Sequence, residues 1–175
     1  MIISLKDFAL TGQFGPVKVG MSKKEVISLL GTPDNDEDLG SGFSEIAYSW
    51  YEFFFDDHSD KLYGIQNDAL EDGHKDSIFF KNKHFEIDTW IIEVGKLLTY
   101  GDVKAQLKAE GISFDEKEKY DRPHFYFESG AYLDFGKDEG GSTLEGNKWI
   151  KIPPKEYDSV EDWPLIGIRY FPSEW

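Results

Sequence analysis

The sequence predicts an α+β fold. Two tandem helix-plus-antiparallel-strand repeats form one curved antiparallel sheet with helices on one face. Three observations carry this expectation. Two short helix signatures with the same start signals stand at an offset of 77 residues, from Ser22 to Thr99. Each is followed by aromatic-rich segments of strand character. A Leu-x-Gly-Ile segment recurs in both halves, as Leu62-Tyr63-Gly64-Ile65 and Leu165-Ile166-Gly167-Ile168.

The first helix, at about 22–31, has every boundary signal. Ser22 is an N-cap and Glu25, three residues on, completes a capping box. Met21 and Val26 are placed to close a hydrophobic staple. Val26, Leu29 and Leu30 form an apolar stripe, Gly31 ends the helix and Pro33 prevents its restart. In the second half, Leu98, Thr99, Asp102, Val103 and Leu107 repeat Met21, Ser22, Glu25, Val26 and Leu30 at the same offset.

Taken in order, residues 1–14 are an opening segment whose Leu5, Phe8 and Leu10 cap a core edge. The polar run 34–42 is a loop by its turn formers. Residues 45–55 read as one aromatic strand, with Tyr51, Phe53 and Phe55 inward and Tyr48, Trp50 and Glu52 outward. A turn at 56–60 leads to a returning strand at 61–66 and a short strand at 77–80. Residues 81–88 are a junction. After the second helix come strands at 124–128 and 131–135, with Phe125 and Phe127 on one face and Tyr126 and Glu128 on the other. Tyr132 and Asp134 alternate against Ala131, Leu133 and Phe135. The two Leu-x-Gly-Ile segments lie 103 residues apart, from Gly64 to Gly167, so the second unit carries an insertion at about 136–163. The units are then 1–82 and 83–175, or one compact domain.

Composition narrows the function classes. The formal charge of −15, from 34 Asp and Glu against 19 Lys and Arg, opposes nucleic acid and anionic lipid and favours a basic partner. With no cysteine, disulfides, thiolate nucleophiles and cysteine-ligated zinc are excluded. The start of the chain has no signal-peptide pattern and no apolar run is long enough to span a bilayer, so the expectation is a cytoplasmic protein.

The segment Gly20-Met21-Ser22-x-x-Glu25-Val26-x-x-Leu29-Leu30-Gly31-x-Pro33, followed by aromatic strands, resembles the small outer-membrane-assembly lipoproteins of the SmpA/OmlA type. Two such units in tandem look like the β-lactamase inhibitory protein architecture. The resemblance implies a sheet surface that binds protein, not an active site. The lipidated cysteine and export signal of those lipoproteins have no counterpart here, so no membrane anchoring is expected.

Motifs for chemistry are sparse. Asp56, His58 and Asp60 have the residue types of a metal site, and a metal-dependent hydrolase is the alternative they support. A hairpin turn accounts for the same residues. The four histidines share no metal-binding spacing, and there is no Gly-x-Ser-x-Gly elbow or phosphate loop. No catalytic residue, metal ligand or cofactor is assigned. The expected site is a partner-binding face of Tyr48, Trp50, Glu52, Tyr126, Glu128, Tyr132 and Asp134, joining aromatic contact area to carboxylates. The reading is a non-enzymatic immunity or inhibitor protein that neutralises a basic toxin or enzyme. A structural or regulatory subunit is a further alternative.

Overall fold

The computed structural model describes residues 1–70, 73–145 and 148–172; Gly146 and Asn147 of the expected insertion lie outside these. The chain is α+β, with four helices and a large antiparallel sheet among the described residues. It opens with β1 (Ile2–Ser4) and α1 (Leu5–Thr11), followed by α2 (Lys23–Leu30). Four strands come next: β2 (Asn35–Gly40), β3 (Phe43–Tyr48), β4 (Tyr51–Asp56) and β5 (Lys61–Asn67). Then α3 (Lys75–Ile78) and β6 (Glu86–Asp88) lead to α4 (Tyr100–Ala109). The second set of strands is β7 (Asp115–Lys119), β8 (Arg122–Tyr126) and β9 (Tyr132–Phe135). A separate hairpin of β10 (Gly141–Glu145) and β11 (Lys148–Ile152) precedes a 3-10 turn (Val160–Asp162) and β12 (Leu165–Tyr170).

Both expected capping boxes form. The Ser22 hydroxyl accepts from the Glu25 N–H while the Glu25 carboxylate accepts from the Ser22 N–H, and Thr99 and Asp102 repeat the arrangement. Val26 and Leu30 of α2, and Tyr100, Val103 and Leu107 of α4, are buried. Gly31 continues with φ of 90°, a backbone angle that disfavours side chains, and so ends α2.

The main sheet has the order β2-β3-β4-β5-β12-β9-β8-β7, with every neighbouring pair antiparallel. Chain order therefore runs inward from each edge, and β5 meets β12 at the centre. A two-stranded parallel pair, β1 with β6, ties Ile2–Ser4 to Glu86–Asp88.

Three expectations need correction, and one strand is additional. Residues 45–55 are not one strand: Ser49 and Trp50 form a two-residue turn between β3 and β4. Ser49 takes a left-handed φ of 55° there, and Tyr48 lies directly opposite Tyr51. The supposed loop at 34–42 is edge strand β2, exposed along its whole length and therefore without an apolar alternation to reveal it. Strand β7 is equally charged and was likewise not expected. The short strand expected at 77–80 is replaced by α3, which ends at Ile78.

The core is aromatic. Phe14 packs edge-on against Phe8, Phe53 and Phe85, and touches Tyr51. In the second half, Tyr100 of α4 and Phe114 pack on Phe125, which meets Phe135. Each such buried ring contributes about 1.5–3 kcal/mol relative to exposure. These residues define the core-pointing set of strand positions, and the alternate positions make up the outer set.

Candidate functional site

One row of outer positions crosses the whole sheet in register: Asn35, Ala47, Glu52, Gln66, Arg169, Tyr132, Tyr126 and Asp115. Eight strands at about 4.8 Å spacing make this row about 34 Å long. Three of the expected site residues, Glu52, Tyr132 and Tyr126, lie on it. Asp134 stands beside it on β9, opposite His124 of β8.

Tyr48 is corrected. It belongs to the core-pointing set, is 0% exposed, and donates from its hydroxyl to the Gly31 carbonyl at 2.6 Å. The tight turn at Ser49-Trp50 reverses the chain after Tyr48, so the alternation carried through that turn put Tyr48 on the wrong face. Trp50 is a turn residue at the end of the hairpin, 47% exposed, not a strand-face residue. Glu128 is also off the strand: β8 ends at Tyr126, and Glu128 is exposed on the turn before β9.

The centre of the face is a hydrogen-bonded chain that sequence reading did not find. Arg169 donates from Nε to Asp134 Oδ2 at 2.6 Å and from Nη1 to Gln66 Oε1 at 2.6 Å. Gln66 in turn donates from Nε2 to Glu52 Oε2 at 2.6 Å. Asp68 lies 3.8 Å from Arg169 Nη2. Four adjacent strands are thus linked by side chains across their outer positions. Charge-assisted bonds of this kind are the strong class.

Charge is divided along the face. On the first-half side, Glu37 and Glu45 are direct register partners, and Glu52 and Asp68 are near enough to act on Glu45. Burial, then the charges of Glu52, Glu37 and Asp68, push the Glu45 carboxyl up to about 7. Glu52 is also raised, chiefly by burial, against the opposing bond from Gln66.

On the second-half side the cations gather. The chain has only two arginines, Arg122 and Arg169, and both line the same pair of adjoining cavities. The smaller, of about 300 Å³, is bounded by Lys119, Tyr120, Arg122, His124, Tyr132, Asp134 and Arg169. The larger, of about 550 Å³, extends over Leu97, Lys137, Tyr157 and Ile166. His124 is buried, and its ring lies close to Tyr126 and Tyr132. Its pKa is lowered, first by burial and further by the Arg169 and Lys119 charges, against the opposing Asp134 carboxylate. The neutral ring then donates from Nδ1 to the Arg122 carbonyl at 2.8 Å and presents Nε2 as an acceptor.

A third feature of this face is aromatic. Phe43, Phe54, Tyr63 and Phe171 form a contiguous group at the far end of the first half. Phe171 covers Gly64, where a Cβ would stand 2.0 Å from its ring.

The turn at 56–60 forms as expected. The Asp56 carboxylate accepts from the His58 N–H and the Ser59 hydroxyl, and Asp60 accepts from the Lys23 N–H at the start of α2. Among the described residues no group of three His, Asp or Glu side chains is placed to hold a metal ion. No helix among them is long and apolar enough to cross a membrane.

No protein-family model matches the sequence, and neither does any curated protein. Among solved structures the chain is similar to an extracellular protein containing an SCP domain from Bacillus anthracis str. Ames. The identity is 14% and the TM-score 0.35, with 89% of this chain and 44% of that chain covered. The chain therefore spans less than half the length of that protein.

Proposed function

We propose that this chain is a non-enzymatic protein-binding module of the immunity or inhibitor kind, which holds a basic partner on the outer face of its central sheet. The carrying observation is that Glu37, Glu45, Glu52 and Asp68 stand together on this face, where burial first and then the neighbouring charges lift the Glu45 carboxyl to about 7. Carboxylates held together at such cost are relieved by a cation from outside, and a lysine or arginine of a partner supplies one. The aromatic group of exposed Phe43 with half-buried Phe54 and Tyr63 lies on the same face and offers apolar contact beside the charge.

The scaffold reading that goes with this is a tandem duplication, with α2 and α4 backing one face of the sheet. Three features support it. The capping boxes of α2 and α4 match. Both Leu-x-Gly-Ile segments carry a one-residue bulge at x: Tyr63 is the extra residue against β4, and Ile166 against β9. At the centre, Ile65, Gln66 and Asn67 pair with Tyr170, Arg169 and Ile168, so Gln66 faces its own counterpart at the offset of 103 and the flanking pairs exchange positions about it. That pattern is the one a pseudo-two-fold axis between two units produces, and it supports the duplication. The two units then give one continuous face, acidic on one side and cationic on the other.

The test is affinity capture from a lysate with the whole chain and with Glu45→Lys/Glu52→Lys. The expected catch is a protein of basic pI, released by salt and absent with the double variant. A captured protein that the charge reversal leaves bound removes the acidic half-face as the docking surface.

A further inference from the structure

We propose that the small cavity on β8, β9 and β12 is a phosphate-binding site. In it Lys119, Arg122 and Arg169 take the anionic oxygens, while Asp134 and His124 accept the hydrogen of a protonated phosphate. This goes beyond the basic-partner reading and does not rest on it, since it concerns the opposite half of the face.

The first observation is a local reversal of charge. The chain carries 34 carboxylates against 19 cations, yet this cavity is lined by three cations and one carboxylate. Arg169 is ion-paired with Asp134 and, at 3.8 Å, with Asp68, and keeps N–H groups to spare. Asp134, Gln66 and the more distant Asp68 engage at most three of its five N–H groups. Arg122 has one long ion pair, Nη2 to Glu139 at 3.7 Å, between groups that are both well exposed. Such pairs contribute little and exchange readily.

The second observation is independent of charge. Asp134 is 5% exposed; Arg169 occupies its Oδ2, and its Oδ1 is buried with no hydrogen-bond partner. That oxygen lies over Gly167, where a Cβ would stand 3.3 Å from it. A buried carboxylate oxygen without a donor costs free energy that a ligand O–H recovers. His124 adds a second acceptor, Nε2, at the register position opposite. The cavity therefore asks for an oxyanion that also carries a hydrogen. Hydrogen phosphate is such a group. Sulfate has the same shape and no hydrogen at neutral pH, so a site with a buried acceptor rejects it.

The cavity adjoins the larger one through the two shared arginines, so a phosphate seated there can carry an organic substituent into the space beside Leu97, Tyr157 and Ile166. Free phosphate and a phosphate monoester share the chemistry, and the experiment distinguishes them.

The experiment follows backbone amide shifts of the whole chain on titration with inorganic phosphate, phenyl phosphate and sulfate. It is run at matched ionic strength and about pH 6, where a monoester retains its proton in part. Phosphate is expected to shift residues 119–126 and 132–136 and to bind at least about tenfold more tightly than sulfate. Arg122→Gln/Lys119→Gln, at the rim, should weaken phosphate at least about tenfold with an unchanged thermal midpoint. Asp134→Asn, whose amide can donate to sulfate, should bring the two anions together. Tighter phenyl phosphate identifies a monoester as the ligand, and tighter inorganic phosphate identifies the free ion. Equal shifts from sulfate and phosphate, absence of shifts at millimolar phosphate, or full binding by the rim variant each overturn the proposal.

Discussion

Arg169 and Gln66 are register partners at the centre of the eight-stranded sheet, and the Arg169 Nη1 donates to the Gln66 side-chain oxygen at 2.6 Å. They also hold matching positions, each following the Gly-Ile of its Leu-x-Gly-Ile segment. Two matching positions thus hold a donor and an acceptor that bond to each other. The seam between the halves is thereby closed by side chains as well as by the backbone ladder.

That bond predicts a strong dependence on Arg169. Its removal leaves Asp134, whose side chain is 7% exposed, as a buried charge without its partner. Arg169→Met should lower stability by about 3–5 kcal/mol, measured by urea unfolding. Arg169→Met/Asp134→Leu should recover at least half of that, because the uncompensated charge leaves with its partner. A double variant as unstable as the single one would show that the guanidinium matters for packing alone.

Glu45 predicts a pH dependence of definite sign. Its folded-state value of about 7 lies above the ordinary 4.5, so the folded chain binds the proton more tightly than the unfolded one. Stability contributed by the protonated group is fully present below about pH 4.5 and is lost as pH rises through about 7. Glu45→Gln should therefore change little at pH 4.5 and stabilise at pH 8. The gain is about 1 kcal/mol once solvent screening of this partly exposed group is allowed for. Urea unfolding of both proteins across that range reads the difference directly.

The paired capping boxes predict matching costs. Ser22→Ala and Thr99→Ala each remove a side-chain acceptor from the third N–H of its helix, while the reciprocal bond from the residue's own backbone N–H to the carboxylate remains. Each should lose about 1 kcal/mol, and Ser22→Asn and Thr99→Ser should hold most of it. Thermal unfolding of the four variants checks this.

Legibility in the sequence followed burial. Helices α2 and α4 were readable because a cap, an apolar stripe and a stop signal coincide within a few residues. Strand β12 and the strand face of Tyr132 and Asp134 were readable because one side of each is core. Strands β2 and β7 were not, since an exposed edge needs no apolar alternation and Asn35–Gly40 has the composition of a loop. The turn at Ser49-Trp50 carries no Asn-Gly or Asp-Gly signal, so the hairpin hides inside an aromatic run, and alternation carried through it puts Tyr48 on the wrong face. Arg169 and His124 belong to no motif that marks a site. The available signal was positional: Gln66 and Arg169 occupy one place in two matching segments, and the chain's other arginine lies two residues before His124.

The two edges of the sheet also set a limit on growth. Strand β2 offers Asp36, Glu37 and Asp38 in succession, and β7 alternates Asp115, Lys117 and Lys119 with Glu116 and Glu118. A second copy laying its own β2 alongside would bring six carboxylates into one ladder, with like charges opposed. At that border the sheet is thus finite toward its own kind.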